Sequence, residues 1–221
     1  MKKRIVVAVV LAVLVSLALT GCLSTNTQTK DFFELVTAGM PQDVQVAINN
    51  GADVNARNKD DMTPLMCAAE TNKNPEVITI LLKAGADIKA QDLHYSQTPL
   101  MWAAWDNPNP EVIATLLKAS ADIEERNFAL MCAAWNNPNP EVITTLLKAG
   151  ADIEARDKDG STPLMIAARI NPNPEVIATL LKAGADAKAK NKAEQTVLDC
   201  AKYNQNLKGT DALKQLEEAS K

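Results

Sequence analysis

Apolar positions return along this chain in a fixed rhythm. Leu65, Leu100, Leu130, Leu164 and Leu198 align at spacings of 35, 30, 34 and 34 residues. A second marker, Gly51-Ala52-Asp53, comes back in the same phase as Gly85-Ala86-Asp87, Ser120-Ala121-Asp122, Gly150-Ala151-Asp152 and Gly184-Ala185-Asp186. Two independent markers sharing one period denote an array of repeats. Within each period the pattern predicts two helices and a turn. In Thr162-Pro163-Leu164-Met165-Ile166-Ala167-Ala168, Thr162 suits the N-cap and Pro163 the first helical position. Leu164, Ala167 and Ala168 fall at i, i+3 and i+4 on one apolar face, and the paired alanines allow a neighbouring helix to come close. Asn173-Pro174-Glu175 repeats the cap-then-proline grammar, with Glu175 at the positive end of the helix dipole. Val176, Ile177, Leu180 and Leu181 make the second buried stripe, and Gly184 stands where the helix needs positive φ to finish.

The stretches TPLMCAA (63–69), TPLMWAA (98–104) and TPLMIAA (162–168), each followed by PEVI and LLKAGAD or close variants, resemble the ankyrin repeat. The resemblance runs over roughly residues 29 to 221 and implies an all-α solenoid of six helix-turn-helix units. A tetratricopeptide array has a similar period, but its Trp-Leu-Gly-Tyr signature is missing. The units are placed at about 30–61, 62–96, 97–126, 127–160, 161–194 and 195–221. The first, with Phe32, Phe33, Leu35 and Val36 but no Thr-Pro-Leu, and the last, apolar on one face only, read as capping repeats. Two departures from the family stand out. Met66, Met101, Met131 and Met165 replace its usual histidine, and each Asn-Pro loop is one residue longer than expected.

Ahead of the array, Lys2, Lys3 and Arg4 precede an apolar run from Ile5 to Leu19, too short for a comfortable span and suited to an export signal. Leu19-Thr20-Gly21-Cys22 resembles the lipobox of bacterial lipoproteins, which implies cleavage after residue 21 and acylation of Cys22. Residues 22–29 then form a polar tether, and 30–221 the repeat domain. Leu23 after the cysteine, where Asp is absent, implies in Gram-negative relatives an outer-membrane anchor facing the periplasm. Several acyl chains at about 0.8 kcal/mol per buried methylene hold such a protein firmly.

Three of the 23 basic residues lie in that leader, so the remainder sets 20 bases against 27 acids. An acidic surface argues against nucleic acid and leaves the acyl chain as the membrane link. No catalytic constellation, metal cluster or cofactor motif is legible. His94 is the only histidine and lies in a turn, where a solvated or contact residue is far commoner than a base. Cys67, Cys132 and Cys200 share one repeat column in alternate units. With stacked helices about 8–10 Å apart, three buried free thiols are expected, too distant for disulfides or a shared metal. The Gly-Ala-Asp aspartates are turn formers.

A non-enzymatic, monomeric protein-binding module is therefore expected. In ankyrin relatives the two positions after Ala-Ala and the turn tips carry partner contacts. Here the first position reads Glu70, Trp105, Trp135, Arg169 and Tyr203, and the second Thr71, Asp106, Asn136, Ile170 and Asn204. Glu70, Trp105, Asp106, Trp135, Asn136 and Arg169, with His94 and Tyr95 in a turn, are the candidate contacts. Trp105 and Trp135 are expected roughly 10 Å apart on one stripe. They serve either as anchors or as covers lying flat on the Asn-Pro loops, while Trp102 in the Cys67 column reads as core. Between Asp122 and Leu130 there are 8 steps against 12 between Asp152 and Leu164, so the third turn is shortened. Either it opens a groove between the tryptophans or it is neutral drift; Ser120 also replaces the turn glycine there. The resemblance implies an adaptor, inhibitor or immunity role, the alternative being an envelope assembly factor.

Overall fold

Most helices of the inner units begin at the Thr-Pro and Asn-Pro pairs. The computed structural model describes residues 31–119 and 122–221, of which Asp31–Lys221 form one compact unit. The leader, Cys22, the tether and Ser120 lie outside the described residues. First helices of the successive units are α1 (Phe32–Ala38), α3 (Pro64–Thr71), α5 (Pro99–Asp106), α7 (Ile123–Asn136), α9 (Pro163–Ile170) and α11 (Val197–Ala201). Second helices are α2 (Pro41–Asn49), α4 (Pro75–Lys83), α6 (Pro110–Ala119), α8 (Pro140–Lys148), α10 (Pro174–Lys182) and α12 (Asp211–Ala219). Each row packs on its own neighbours in order, giving two parallel layers of helices. Among the described residues there is no strand, only an isolated Lys190–Thr196 bridge. The fold is an all-α solenoid.

Local chemistry explains each start. The Thr63 and Thr162 hydroxyls accept from the Met66 and Met165 backbone N–H groups at 3.3 Å. Asn74, Asn109, Asn139 and Asn173 side chains accept from the N–H two residues on, leaving proline at the first helical position, where no donor is needed. Gly85, Gly150 and Gly184 finish the second helices at φ of 90°, 93° and 99°, a region closed to most side chains. Between the layers Leu65, Leu100, Leu130 and Leu164 meet Ile78, Ile113, Ile143 and Ile177, all essentially inaccessible to water. Each such side chain stabilises the array by about 1.5–3 kcal/mol. The alanine pairs 68/69, 103/104, 133/134 and 167/168 are likewise fully buried, which lets the first-helix row close up.

The extra residue in the Asn-Pro loop has a role that spacing alone did not expose. Asn107, Asn137 and Asn171 end their helices with side chains completely buried. Asn137 Nδ2 donates to the Ala104 and Asn107 carbonyls of the preceding unit at 3.0 and 2.9 Å, and its Oδ1 accepts from the Asn139 N–H at 3.0 Å. Asn107 repeats this against Ala69 and Asn72, and Asn171 against Ala134 and Asn137. Asn72 begins the series on Val36, and Asn204 ends it on Asn171. The last first-helix has only five residues, so the chain turns early. That makes Asn204 a buried rung, not the exposed contact its column assigned.

The fourth unit departs from the expected shortened turn. Its first helix spans 14 residues, with Asp122 as N-cap accepting from the Glu125 N–H at 2.8 Å. The residues that elsewhere form a hairpin are wound into this helix. The boundary drawn at 126/127 therefore falls inside α7. Winding is possible because Glu124 and Glu125 sit in the first turn, at the positive end of the dipole.

Truncating a rung leaves several buried backbone groups unpaired. Asn137→Ala should lower stability by about 2–4 kcal/mol in urea melts, whereas Asn206→Ala, at an exposed position, should change it by less than about 0.5 kcal/mol.

Candidate partner-binding surface

Trp105 and Trp135 occupy the penultimate positions of α5 and α7, in the last turn of each, directly after a buried alanine pair. Their ring centroids lie 6.1 Å apart with planes 26° from parallel, closer than the helix spacing implied. The first-helix row is drawn together by its alanines, and the rings lean into contact. Such a stack is worth about 0.5–1.5 kcal/mol beyond area burial. Trp135 nevertheless stays 44% exposed, so it is not a sealed cover for its loop.

Trp102 corrects the expectation that it is core. It is half-buried against the core, and its indole N–H donates to Asp92 Oδ2 at 3.2 Å. The larger indole cannot fit the space that takes a thiol in neighbouring units, so it emerges beside the preceding turn. Asp92 organises that turn. Its Oδ1 accepts from the His94 and Tyr95 N–H groups at 2.9 and 2.7 Å, and its Oδ2 also accepts from the Gln97 N–H at 3.0 Å. The turn thus holds Tyr95 out, 73% exposed, with His94 beside it at a 6.4 Å ring separation.

Tyr95, Gln97, Trp102, Trp105 and Trp135 together line a groove of about 370 Å³. A second cavity of about 560 Å³ adjoins it, sharing Tyr95 and Gln97 and reaching Met101, Phe128 and Cys132. Phe128 is 56% exposed there, carried by the extended N-terminal part of α7. This extension is fastened by Glu125, whose buried carboxylate accepts from Thr98 Oγ1 and Lys89 Nζ, both at 2.7 Å. Thr98 accordingly makes no side-chain cap for α5. The hydrogen bond to Glu125 raises the Lys89 pKa, and the Glu125 N–H, then Lys89, lower that of Asp122.

Of the residues expected to contact a partner, Tyr95, Trp105 and Trp135 converge on this groove. Glu70 and Asp106 lie alongside: burial first, then the Asp106 charge, pushes the Glu70 carboxyl upward. Asn136 donates to the Trp105 carbonyl at 3.2 Å and to Asp106 Oδ1 at 3.4 Å, so it braces the two levels. Arg169 is exposed, with Nη2 3.6 Å from Cys200 Sγ, facing the next unit and outside the groove lining. Gln97, Trp102, Met101, Phe128 and Glu125 were not anticipated. The signal for the last two was present in Phe128-Ala129 replacing Thr-Pro.

Cys67, Cys132 and Cys200 are free thiols. Cys67 and Cys200 are buried, but Cys132 is half-buried, because the extended α7 leaves the second cavity open beside it. Burial pushes the Cys67 and Cys132 thiols up to about 12, with Glu70 and Asp60 adding to the effect at Cys67. Among the described residues no three His, Cys, Asp or Glu side chains gather to hold a metal ion, and no helix is long and apolar enough to cross a membrane.

A family model described as ankyrin repeats (3 copies) matches residues 32–127 and again 130–220. Protein fem-1 homolog C of Homo sapiens is 45% identical over 49 residues, which is 22% of this chain and 8% of that protein. The mitochondrial disaggregase of Bos taurus is 43% identical over 68 residues, 30% of this chain and 10% of that protein. The chain thus matches no more than a tenth of the length of these relatives. Among solved structures, a chain from the complex of the Bd0816 predatory endopeptidase of Bdellovibrio bacteriovorus with immunity protein Bd3460 superposes with a TM-score of 0.66. It is 31% identical, and the match covers 86% of this chain and 97% of that one.

The raised thiol pKa values make a kinetic prediction. At pH 8 the thiolates of Cys67 and Cys132 should be roughly a thousand-fold scarcer in the folded protein than in the unfolded chain, given values near 12 against 9.0. Iodoacetamide labelling followed by mass spectrometry should be at least about 100-fold slower than in urea. The same shift stabilises the fold fully below pH 9, and that contribution is lost as pH rises toward 12. Labelling of Cys132 as fast in the native protein as in urea would contradict it.

Proposed function

The chain belongs to the ankyrin-repeat family, and from that premise we propose that it is an envelope-anchored protein that binds and restrains an exported peptidase, in the manner of an immunity protein. Ankyrin repeats make it a protein-binding module. The observation that carries the finer reading is the aromatic groove, where Tyr95, Trp102, Trp105 and Trp135 stand together on the first-helix row beside one turn. Tryptophan and tyrosine dominate interface hot spots because they bury much area at little entropic cost. The likeness to a chain from an endopeptidase–immunity protein complex supports the choice of partner class. A repeat array presenting an aromatic groove suits the restraining half of such a pair better than the bond-cleaving half. Glu70 and Asp106 flank the contact, Asn136 braces it, Arg169 extends it toward the last unit, and His94 and Tyr95 form its rim.

The anchor is the acylated Cys22, supported by the basic start, the apolar run and the small residues before the cysteine. It places the module at the outer membrane, facing the periplasm, where an exported peptidase would meet it. Rigid display is the mechanism: a prefolded surface loses little freedom on binding, so its contact energy appears as affinity.

Affinity capture from solubilised envelopes of a producing cell tests the surface. The wild-type protein should retain one peptidase and inhibit it. The Trp105→Ala/Trp135→Ala variant should lose at least about thirty-fold in affinity, as removal of a hot spot worth 2 kcal/mol requires. Retention of every captured protein by the variant would refute the site, and retention of several unrelated envelope proteins would favour an assembly factor. Separately, Cys22→Ala should abolish incorporation of an alkyne-tagged fatty acid and release the protein from membranes. Undiminished labelling would remove the lipid anchor from the proposal.

A further inference from the structure

We infer that the groove beside Trp102 is an aromatic cage for one cationic side chain, an arginine or a lysine offered by a surface loop of the protein partner. The inference rests on the binding role proposed above for this face. Four aromatic rings, Tyr95, Trp102, Trp105 and Trp135, line a space of about 370 Å³, enough for a long side chain with an apolar stem. Ring faces carry negative quadrupole charge and attract a cation within about 6 Å.

The polar groups in and under the groove carry the same sign. Gln97 Oε1 is buried at this lining and has no hydrogen-bond partner among the described residues. An unpaired buried acceptor is unfavourable, and an incoming N–H donor relieves it. A purely apolar side chain would leave it orphaned. Below it lies Asp92, a buried carboxylate satisfied by four neutral N–H groups: those of His94, Tyr95, Gln97 and the Trp102 indole. Backbone and indole dipoles soften this charge without neutralising it, so the floor of the groove stays electronegative. Asp106, next to Trp105 in sequence, and Glu70, which feels the Asp106 charge, add carboxylates, and the adjoining cavity adds Asp122, Glu124 and Glu125. Two cations act on these three carboxylates: Lys89, whose ammonium is already held by Glu125 at 2.7 Å and Asp122 at 3.3 Å, and Arg126, whose charge lowers the Asp122 pKa. An acceptor, aromatic walls and excess negative charge converge on one space. That combination selects a cation over a neutral isostere.

The full-length protein, purified in a mild non-ionic detergent, is titrated with capped pentapeptides Gly-Ala-X-Ala-Gly in which X is arginine, lysine, citrulline or norleucine. Binding is read from indole fluorescence and from the NMR signal of the Trp102 indole N–H. The arginine and lysine peptides should bind at least ten-fold tighter than citrulline or norleucine. Gln97→Met, which keeps the side-chain volume and removes the acceptor, should weaken the arginine peptide three-fold or more and leave norleucine unchanged. Norleucine binding as well as arginine, or no peptide moving the Trp102 signal, overturns the cage. If the peptides fail while partner capture still depends on Trp105 and Trp135, the cage falls and the binding surface stands. If the arginine peptide binds yet capture ignores both tryptophans, the cage stands and the partner assignment falls.

Discussion

A buried asparagine in every unit after the first holds this array in register. The side-chain amide is a donor pair and an acceptor on one rigid plane. At Asn137 both donors reach carbonyls of the unit before, and the oxygen caps the loop of its own unit. Hydrophobic burial between the layers is strong but non-directional, so it would tolerate sliding of one helix pair on the next. The asparagine ladder does not. Any slip would strand amide and carbonyl groups away from water, at about 1–3 kcal/mol each. The first-helix row therefore has one spacing, and the stacking of Trp105 on Trp135 follows from it.

The third and fourth units use this fixed register to accommodate an irregular junction. Losing four residues between Asp122 and Leu130 leaves too little chain for a hairpin, and helix is the conformation that satisfies the backbone by itself. Its cost is a carboxylate, Glu125, carried into a buried position. Thr98 and Lys89 offset that cost with two short hydrogen bonds, and Thr98 gives up its own capping role to do so. Asn127 keeps the start of this unit tied to the turn that closes it by accepting from the Asp152 N–H at 2.7 Å, the part that Asn55 plays toward Asp87 between the turns closing units one and two. The irregular unit remains tied at both ends, and the altered stretch presents Phe128 and opens the space beside Cys132.

How far the residues alone disclosed this depends on whether the information was local. Thr-Pro, Asn-Pro and the turn glycines act within four residues, and each helix start and stop they marked is present. Leucine and alanine columns located the core for the same reason. Three things were hidden. The first asparagine of each Asn-Pro loop looked like a polar loop residue, because its carbonyl partners lie 30 or more positions earlier in the chain. The helical start at Asp122 was readable from its acidic first turn, but repeat phase suggested a trimmed hairpin. Trp102 shares a column with cysteines, and only the volume difference between indole and thiol, together with Asp92 ten residues earlier, brings it to the surface.

The same ladder explains why the stripe of exposed residues can vary. The carbonyls it grips belong to Ala69, Ala104 and Ala134, the residues immediately before Glu70, Trp105 and Trp135. Backbone at the head of these three stripe positions is thus fixed by the following unit, so the side chains that project from it are not needed to hold the register. A glutamate, two tryptophans and an arginine occupy equivalent positions without disturbing the array. Where the ladder fixes the main chain, side-chain identity is free to answer to something outside the protein. The stacked tryptophans are where that freedom produced a shaped apolar surface over a buried acid, and a binding module built this way changes its partner by changing a column while leaving its core alone.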